Sequence, residues 1–185
     1  YLEEHEDAKE TIRLIEKEGR KGLAIAGDVS SSQTCNSAVE KTVKELGGLD
    51  ILVNNAGVQI VQEDISAISD QEWQKHMDTN INGYFYLVRA ALPHLAKGSA
   101  IINTSSINAF AGNKALPAYS TTKAAEMGFT RALALQLVSK GIRVQAVATG
   151  PVWTPSQPPS WGSVDPQSVA DLGKGTPMGR VGDTS

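Results

Sequence analysis

The stretch LDILVNNAG, residues 49–57, decides the fold class of this chain. Its apolar residues follow one another without alternating with polar ones, which is typical of a parallel strand covered on both faces. The strand ends in four small or polar residues, Asn54-Asn55-Ala56-Gly57. Because ligands bind beyond the carboxyl ends of the strands in an open parallel sheet, this end is a candidate binding position.

Three further apolar segments are predicted as strands. They are GLAIAGDV (22–29, ending at Asp28), SAIINTSS (99–106) and IRVQAVA (142–148). Helices are predicted between them. One covers residues 3–22 with Gly19 as a stop, another follows the cap candidates Ser30–Ser32, and another covers residues 118–139. A long helix is predicted from the possible capping box Ser69/Glu72 to Pro93, and it carries Trp73, Met77, Ile81, Phe85 and Val88. This alternation predicts an α/β fold with a doubly wound parallel sheet, in one domain over residues 1–185.

Composition limits the possible partners. The 185 residues are 41% hydrophobic and 20% charged, as expected of one globular domain. A net charge of −3 gives no basic footprint for nucleic acid or an anionic membrane, and no apolar run is long enough for a membrane span. The single cysteine, Cys35, excludes an internal disulfide, which favours a reducing, cytoplasmic compartment and a packing role for this side chain.

The ends of the four predicted strands bring small and polar residues to one edge of the sheet. These ends are Asp28, Asn54 to Gly57, Ser105-Ser106 and Thr149-Gly150-Pro151. One such end would be unremarkable. Four that line the same crevice predict a ligand site.

Within PAYSTTKAA, residues 117–125, Tyr119 and Lys123 are four residues apart and share one helix face. A phenol has a pKa of about 10, and a neighbouring ammonium can lower it by about one to three. A phenol adjusted in this way takes a proton from an alcohol or gives one to a carbonyl. The alternative interpretation is a half-buried tyrosine beside a surface lysine.

Ser106 lies thirteen residues before Tyr119 and is predicted to hydrogen-bond the same substrate oxygen. The alternative is loop chemistry or a helix cap. None of the histidines fits a nucleophilic triad, and the chain has no Gly-x-Ser-x-Gly elbow, so Ser106 is interpreted as an orienting donor and a hydrolase is disfavoured.

These residues together resemble the short-chain dehydrogenase/reductase superfamily. The motifs that carry the resemblance are Asn54-Asn55-Ala56-Gly57, Asn80, Ser106, Tyr119 with Lys123, and Gly150-Pro151-Val152 with Thr154. The phrases IINTSS, KGIRV and GPVWTP are most similar to the glucose and ribitol dehydrogenase-like subgroup. The resemblance implies a Rossmann-type sheet in three layers (α/β/α), incomplete here.

The resemblance implies an NAD(P)-dependent oxidoreductase that moves a hydride between nicotinamide and the CH-OH/C=O carbon of a small alcohol, polyol, sugar or ketone. Tyr119 would be the catalytic acid/base. Lys123 would lower its pKa and hold the ribose hydroxyls, and Ser106 would position the substrate oxygen. Asn80 would hold a water in a proton relay leading to Lys123. The alternative for Asn80 is a polar residue tolerated in a helix, with Asn82 beside it as the competing candidate.

The resemblance also implies the cofactor contacts. Asp28 and Val29 would lie at the adenine, and Asn55, Ala56 and Gly57 beside its ribose. Pro151, Val152 and Thr154 would lie at the nicotinamide side, together with Tyr119 and Lys123. Asn54 is equally interpreted as a brace for its strand, and Thr154 as a loop hydroxyl before Pro155. The choice between NAD and NADP stays open.

Some features depart from the family pattern. Gln145 and Thr149 stand where the family usually has Asn and Pro. The family's glycine-rich turn is not found, so the chain is expected to be a fragment that lacks both ends of the fold and folds poorly alone. Residues 153–175 are expected to include a mobile substrate lid, in which Trp153 and Trp161 either pack or stack on a sugar.

The resemblance further implies a homodimer or homotetramer, associated through the helices near residues 73–96 and 118–139. A second hypothesis of a different class is a non-catalytic dinucleotide-binding or regulatory protein of the same fold. The combination of Ser106, Tyr119, Lys123 and Asn80 favours the enzyme, because a binding module does not need all four.

Overall fold

The computed structural model describes residues 1–154 and 166–182 and contains a parallel sheet of three strands. The strands are β1 Ile51–Asn54, β2 Ala100–Ser106 and β3 Arg143–Thr149, in the order β1-β2-β3. All pairings are parallel, with Asn54 opposite Asn103 and Ser106 opposite Thr149. The predicted α/β fold with an incomplete parallel sheet is confirmed.

The described part of the chain contains seven α-helices. They are α1 His5–Lys17, α2 Ser32–Leu46, α3 Asp70–Met77, α4 Gly83–Ala91, α5 Asn108–Ala111, α6 Pro117–Leu137 and α7 Pro166–Ala170. A π-helical turn, Asp78–Asn82, joins α3 to α4. Among these helices none is long and apolar enough to cross a membrane.

The helix boundaries follow from caps that the sequence indicated. Ser31 Oγ accepts a hydrogen bond from the backbone N–H of Thr34 at the start of α2. Ser69 Oγ does the same for Glu72 at the start of α3. The reciprocal half of the predicted capping box is replaced by another contact, since the Glu72 carboxylate accepts from the Gln62 amide.

Helices α4 and α6 pack against the sheet and form the main apolar core with it. The fully buried members of this core are Leu52, Val88, Ala91, Leu95, Ile101, Leu133, Leu137, Ile142 and Val144. Leu133 and Leu137 are buried as predicted, and Phe129 is partly buried against them. This packing fixes the start of α6 beside the carboxyl end of β2.

The prediction of a strand at residues 22–29 is wrong. The segment forms no regular secondary structure and belongs to no strand. A strand requires a neighbour that pairs with its backbone, and of this segment only Gly27 donates to a distant carbonyl, that of Tyr1, among the described residues. Its apolar composition was therefore insufficient to make it a strand.

The prediction that β1 is covered on both faces is also wrong. Leu52 and Asn54 are buried, whereas Ile51 and Val53 are 60% and 54% exposed. Successive side chains of a strand point to opposite faces, and helices cover one of the two faces here.

The long helix predicted from Ser69 to Pro93 is interrupted, and its buried stripe is shifted. Of the five apolar residues that the predicted helix carries, Trp73 and Phe85 are exposed, Met77 and Ile81 are partly buried, and Val88 is buried. The buried residues of this region are His76, Asn80, Gly83, Tyr84, Val88 and Ala91. Three of them carry polar groups that are satisfied by hydrogen bonds, so apolar residues alone do not mark the buried face of this region.

Candidate active site

A cavity of about 600 Å³ opens at the carboxyl ends of β2 and β3. Of the predicted site residues it is lined by Ser106, Tyr119, Pro151, Val152 and Thr154. Such a volume is typical of small-molecule sites, which span about 300–1,000 Å³. The crevice predicted from the strand ends is therefore present at two of them.

The hydroxyls of Ser106 and Tyr119 come together in this cavity. Ser106 is the last residue of β2, and Tyr119 lies in the first turn of α6, where Pro117 begins the helix. Both residues line this cavity, and Ser106 acts on the phenol of Tyr119 by lowering its pKa. Ser106 Oγ also accepts from the backbone N–H of Asn108 at 3.2 Å, so this hydroxyl has the capping contact that the alternative interpretation expected as well.

Lys123 lies behind Tyr119 inside the protein. It is 3% exposed, and its Nζ donates to the Thr104 carbonyl at 2.7 Å and to Glu126 Oε1 at 2.9 Å. Nζ is 5.4 Å from the centroid of the Tyr119 ring and 5.7 Å from that of Tyr84. The alternative of a surface lysine is therefore wrong, because this ammonium is held by acceptors of the interior.

The electrostatics of Tyr119 differ from the expectation. Its pKa is raised, mainly because burial disfavours the charged phenolate. A hydrogen-bonding contribution from Ser106 acts in the opposite direction and lowers the pKa. The negative charge of Glu126 raises this pKa further. The prediction that Lys123 lowers the pKa of the Tyr119 phenol toward 7 is therefore not met in this structure, where the Lys123 ammonium is paired with the Glu126 carboxylate.

Glu126 was not identified from the sequence, although it lies three residues after Lys123 on the same helix. It is 1% exposed, and burial raises the pKa of its carboxyl to about 7, opposed by the charge and the hydrogen bond of Lys123. Its second oxygen, Oε2, has no hydrogen-bond partner among the described residues. A charged residue in a helix is usually solvated, so its burial could not be read from the sequence.

Asn80 is fully buried in the π-helical turn. Its Oδ1 accepts from the backbone N–H of Val58 at 2.7 Å, and its Nδ2 donates to the Val58 carbonyl at 3.0 Å and to Thr122 Oγ1 at 2.9 Å. Asn82 instead donates to Asp78 on its own helix. The structure thus separates the two candidates and places Asn80, and not Asn82, against the segment after β1 and the Lys123 helix.

Gly57 lies next to this buried group. A methyl group at its Cα would be 3.4 Å from Asn80 Oδ1 and 3.8 Å from Lys123 Nζ. Asn55, Ala56 and Gly57 are all exposed at the end of β1, so their backbone is open to a ligand. Asn54 is buried and its Nδ2 donates to Asn103 Oδ1 at 2.8 Å, which supports its interpretation as a strand brace.

Asp28 and Val29, predicted for the adenine, do not line the main cavity. Asp28 is exposed, and its carboxylate accepts from the backbone N–H of Ser30 in the turn before α2. Val29 packs against the start of α4, where any side chain at Gly83 would come within about 3.1 Å of it. Cys35 is buried nearby and its thiol donates to the Val29 carbonyl, which confirms its packing role.

The segment after β3 closes one side of the cavity. Val152 forms an isolated parallel bridge with Gly182, and the lining residues from the region of α7 are Ser168, Asp171, Leu172, Gly173, Gly175 and Thr176. Part of the predicted lid therefore borders Ser106 and Tyr119. Trp153 is exposed, and the rest of the lid, including Trp161, lies in residues 155–165, outside the described residues.

Of the two departures from the family pattern, Gln145 is exposed in β3, and Thr149 ends that strand with its carbonyl accepting from Ile107. Neither contacts Tyr119 or Lys123 by any hydrogen bond in the described structure.

Two more buried polar residues were missed by the sequence analysis. Tyr84 Oη donates to the Thr104 carbonyl at 3.2 Å, the same oxygen that accepts from Lys123. His76 Nε2 accepts from the backbone N–H of Ile60 at 3.3 Å, while its Nδ1 lies 2.9 Å from the Glu72 carbonyl. His76 lies on α3 and Tyr84 on α4, and the π-helical turn between the two helices helps to determine which of their side chains are buried.

Comparisons with known proteins identify the family of this chain. The family model for short chain dehydrogenase matches residues 1–162. General stress protein 39 of Bacillus subtilis (strain 168) is 53% identical over 182 residues, which cover 98% of this chain and 63% of that protein. Glucose and ribitol dehydrogenase of Daucus carota is 43% identical over 183 residues, covering 97% of this chain and 62% of that protein.

Among solved structures, a short chain dehydrogenase from Burkholderia cenocepacia J2315 in complex with NADP has a TM-score of 0.87 and 29% sequence identity. The match covers 99% of this chain and 73% of that one. The fold and site thus define an α/β protein of the Rossmann type. The chain belongs to the short-chain dehydrogenase/reductase family, as its motifs predicted. It spans less than two thirds of the length of the two curated relatives described above.

Proposed function

We propose that this protein is an NAD(P)-dependent oxidoreductase that interconverts a small alcohol, polyol or sugar and the corresponding carbonyl compound. One observation carries the proposal: Ser106 and Tyr119 line the wall of the same cavity at the carboxyl end of β2. Lys123 and Asn80 are buried, and both are held by hydrogen bonds to neighbouring residues. A protein that only binds a dinucleotide has no need of such an arrangement.

The residues present fit a nicotinamide dinucleotide. Asn55, Ala56 and Gly57 are exposed small residues at the end of β1, and Gly57 has no side chain to separate a ligand from Lys123. Pro151 and Val152 supply the wall of the cavity beside Tyr119. We propose that Asp28 and Val29 contact the adenine and that Thr154 holds the nicotinamide side. NAD and NADP are both compatible with these residues.

Nicotinamide, when bound, accepts or supplies the hydride. The chain's own residues manage the proton. In the oxidation direction, the Tyr119 phenolate takes the proton from the substrate hydroxyl while the Ser106 hydroxyl donates a hydrogen bond to the same oxygen. In the reduction direction, Tyr119 returns that proton to the carbonyl oxygen.

Lys123 and Asn80 act from the interior. Lys123 orients the first turns of α6 through its contact with the Thr104 carbonyl. Asn80 clamps the segment at Val58, which keeps the end of β1 at a fixed distance from α6. We propose that Asn80 also takes part in the passage of the proton from Lys123 toward solvent.

The remaining features of the proposal concern the chemical class of the substrate, its cover and the assembly of the protein. The lining of the cavity includes Asn108, Asn113 and Asp171, polar groups suited to the hydroxyls of a polyol or sugar. We propose that residues 153–175 cover the bound substrate as a lid.

We also propose that the protein is a homodimer or homotetramer in the cytoplasm. The exposed Phe85 of α4 and Leu135 of α6 would lie at a contact between subunits.

The decisive experiment uses the full-length protein and its Tyr119→Phe variant. Initial rates with NAD, NADP and their reduced forms are measured against a panel of polyols, sugars and ketones, and cofactor dissociation constants are measured by fluorescence. The variant should lose at least about 10²-fold in kcat while its cofactor affinity changes less than about threefold. Undiminished turnover in Tyr119→Phe would remove Tyr119 from its role. Cofactor binding without turnover of any substrate would favour the binding or regulatory protein instead.

A further inference from the structure

A buried ion pair lies on the side of Tyr119 that faces away from the substrate cavity. Glu126 Oε1 accepts from Lys123 Nζ at 2.9 Å, and the two side chains are 1% and 4% exposed. The second acceptor of the ammonium is the Thr104 carbonyl. A buried charge is costly unless it is paired, so Glu126 supplies the counter-charge for an ammonium that the strand carbonyl alone does not neutralise.

Glu126 Oε2 has no partner among the described residues, although it is buried. Glu126 borders a second cavity of about 260 Å³, separate from the one that contains Ser106. It is lined by Asn80, Ile81, Asn82, Tyr84, Phe85, Glu126 and Phe129. This volume is well above the roughly 15 Å³ that one water requires, so a proton can reach the carboxylate without local unfolding.

We infer that Glu126 is a positioning residue that controls the charge experienced by Tyr119. As a carboxylate, it holds the Lys123 ammonium and cancels its charge. When protonated through the second cavity, it leaves that charge uncompensated, so that Lys123 stabilises the Tyr119 phenolate. The inference rests on the proposed function, because it concerns the same acid/base.

Two observations fix the sign of this effect. The charge of Glu126 raises the pKa of Tyr119 and also that of Tyr84 across the helix interface. The titratable groups that sense Glu126 are therefore Lys123 and Tyr119 on α6 and Tyr84 on α4. Removal of the negative charge must move the Tyr119 titration to lower pH.

The test is Glu126→Gln in the full-length protein, because glutamine keeps the size and the acceptor oxygen but removes the charge. For alcohol oxidation, kcat/KM should rise with pH along a limb set by Tyr119. In Glu126→Gln this limb should shift to lower pH by at least about half a pH unit, with KM changed less than about threefold. Glu72→Gln is the matched control, since Glu72 lies on α3, accepts a hydrogen bond from the Gln62 amide and is outside the site. Its profile should coincide with that of the unaltered protein.

If Glu126→Gln folds and the rising limb of its pH profile does not shift, the inference is overturned. The role of Glu126 would then be structural only. If that variant does not fold, Glu126→Asp is used. It keeps the charge but draws it back by one methylene, and a smaller shift in the same direction is expected; no shift there overturns the inference as well.

A substrate-free measurement separates this inference from the proposed function. The phenolate absorbance of Tyr119 is obtained as the difference between each protein and its Tyr119→Phe counterpart over a pH titration. A lower midpoint in Glu126→Gln supports the coupling even if no substrate is ever turned over. An unchanged midpoint contradicts it even if the enzyme is active.

Discussion

Asn54 and Asn103 lie directly opposite each other in β1 and β2, and the side-chain Nδ2 of Asn54 donates to the side-chain Oδ1 of Asn103 at 2.8 Å. Both side chains are buried. The Asn103 amide continues to Thr130 Oγ1 at 2.9 Å, which ties the two strands to helix α6. This chain of polar contacts positions the helix that carries Tyr119 relative to the strand end at Asn55.

Substitution Asn103→Ala should therefore be strongly destabilising. It leaves the buried Asn54 side-chain amide without its acceptor, which costs about 1–3 kcal/mol, while the Thr130 hydroxyl keeps its bond to the Glu126 carbonyl. The free energy of unfolding of the full-length protein in denaturant measures this. Asn55→Ala is the matched control: this neighbouring asparagine is exposed, and a change within about 0.5 kcal/mol is expected. Equal effects of both substitutions would contradict the bracing role.

Ser106→Ala should alter the pH dependence of turnover as well as its rate. The hydrogen bond from Ser106 lowers the pKa of Tyr119, so its loss moves the rising limb for alcohol oxidation to higher pH. The loss of an orienting donor should also reduce kcat/KM by about 10²-fold. Thr121→Ala removes a hydroxyl from the exposed face of the same helix and should change neither quantity. A Ser106→Ala profile that only falls in height, without shifting, would show that the hydroxyl does not act on Tyr119.

The raised pKa of Glu126 predicts a pH-dependent stability. The folded protein keeps this proton up to a pH of about 7, whereas the unfolded chain releases it near 4.5. The stabilisation is therefore complete below the unfolded pKa and is lost as pH rises through the folded one, by on the order of 3 kcal/mol. Unfolding of the full-length protein at pH 5 and pH 8 should show this loss.

In Glu126→Gln the same pH interval should bring a smaller change in the free energy of unfolding, since glutamine does not titrate. An identical pH dependence in the two proteins would mean that the carboxyl titrates normally despite its burial.

Residues 1–185 expressed alone should unfold with little cooperativity and should not enhance NAD(P)H fluorescence. The physical reason is the sheet, whose apolar Ile51, Val53 and Val147 are each more than half exposed. Apolar surface that is not buried contributes nothing to stability. Calorimetry and a cofactor titration measure the outcome, with the full-length protein as the positive control. A sharp melt together with saturable binding would show that these residues suffice.

The sequence predicted the elements whose pattern is local. The strand that ends at Ser106 and the helix that begins at Pro117 combine continuous apolar or periodic residues with clear boundaries, and both were located within two residues. The Ser106–Tyr119 pair followed from these two elements, because a parallel strand and the helix after it meet at one edge of the sheet.

What the sequence could not predict depends on tertiary partners. Residues 22–29 have the composition of a strand but no adjacent strand to pair with. Glu126 carries a charge that is normally solvated, and only the position of the Lys123 ammonium explains its burial. His76 and Tyr84 are polar residues on the buried face, so a search for apolar periodicity passed over them.

The π-helical turn at Asp78–Asn82 restricts how this region can change in length. The π-helical turn closes one residue later than a regular helical turn, so it takes in one extra residue while α3 and α4 stay nearly in phase. Deletion of one residue there would restore an ordinary helix and leave Tyr84 of α4 at the Thr104 carbonyl. Asn80 lies inside the turn, so its side chain would be redirected and would leave Val58. A single-residue deletion in this turn should therefore cost the buried asparagine contact and not the packing of α4.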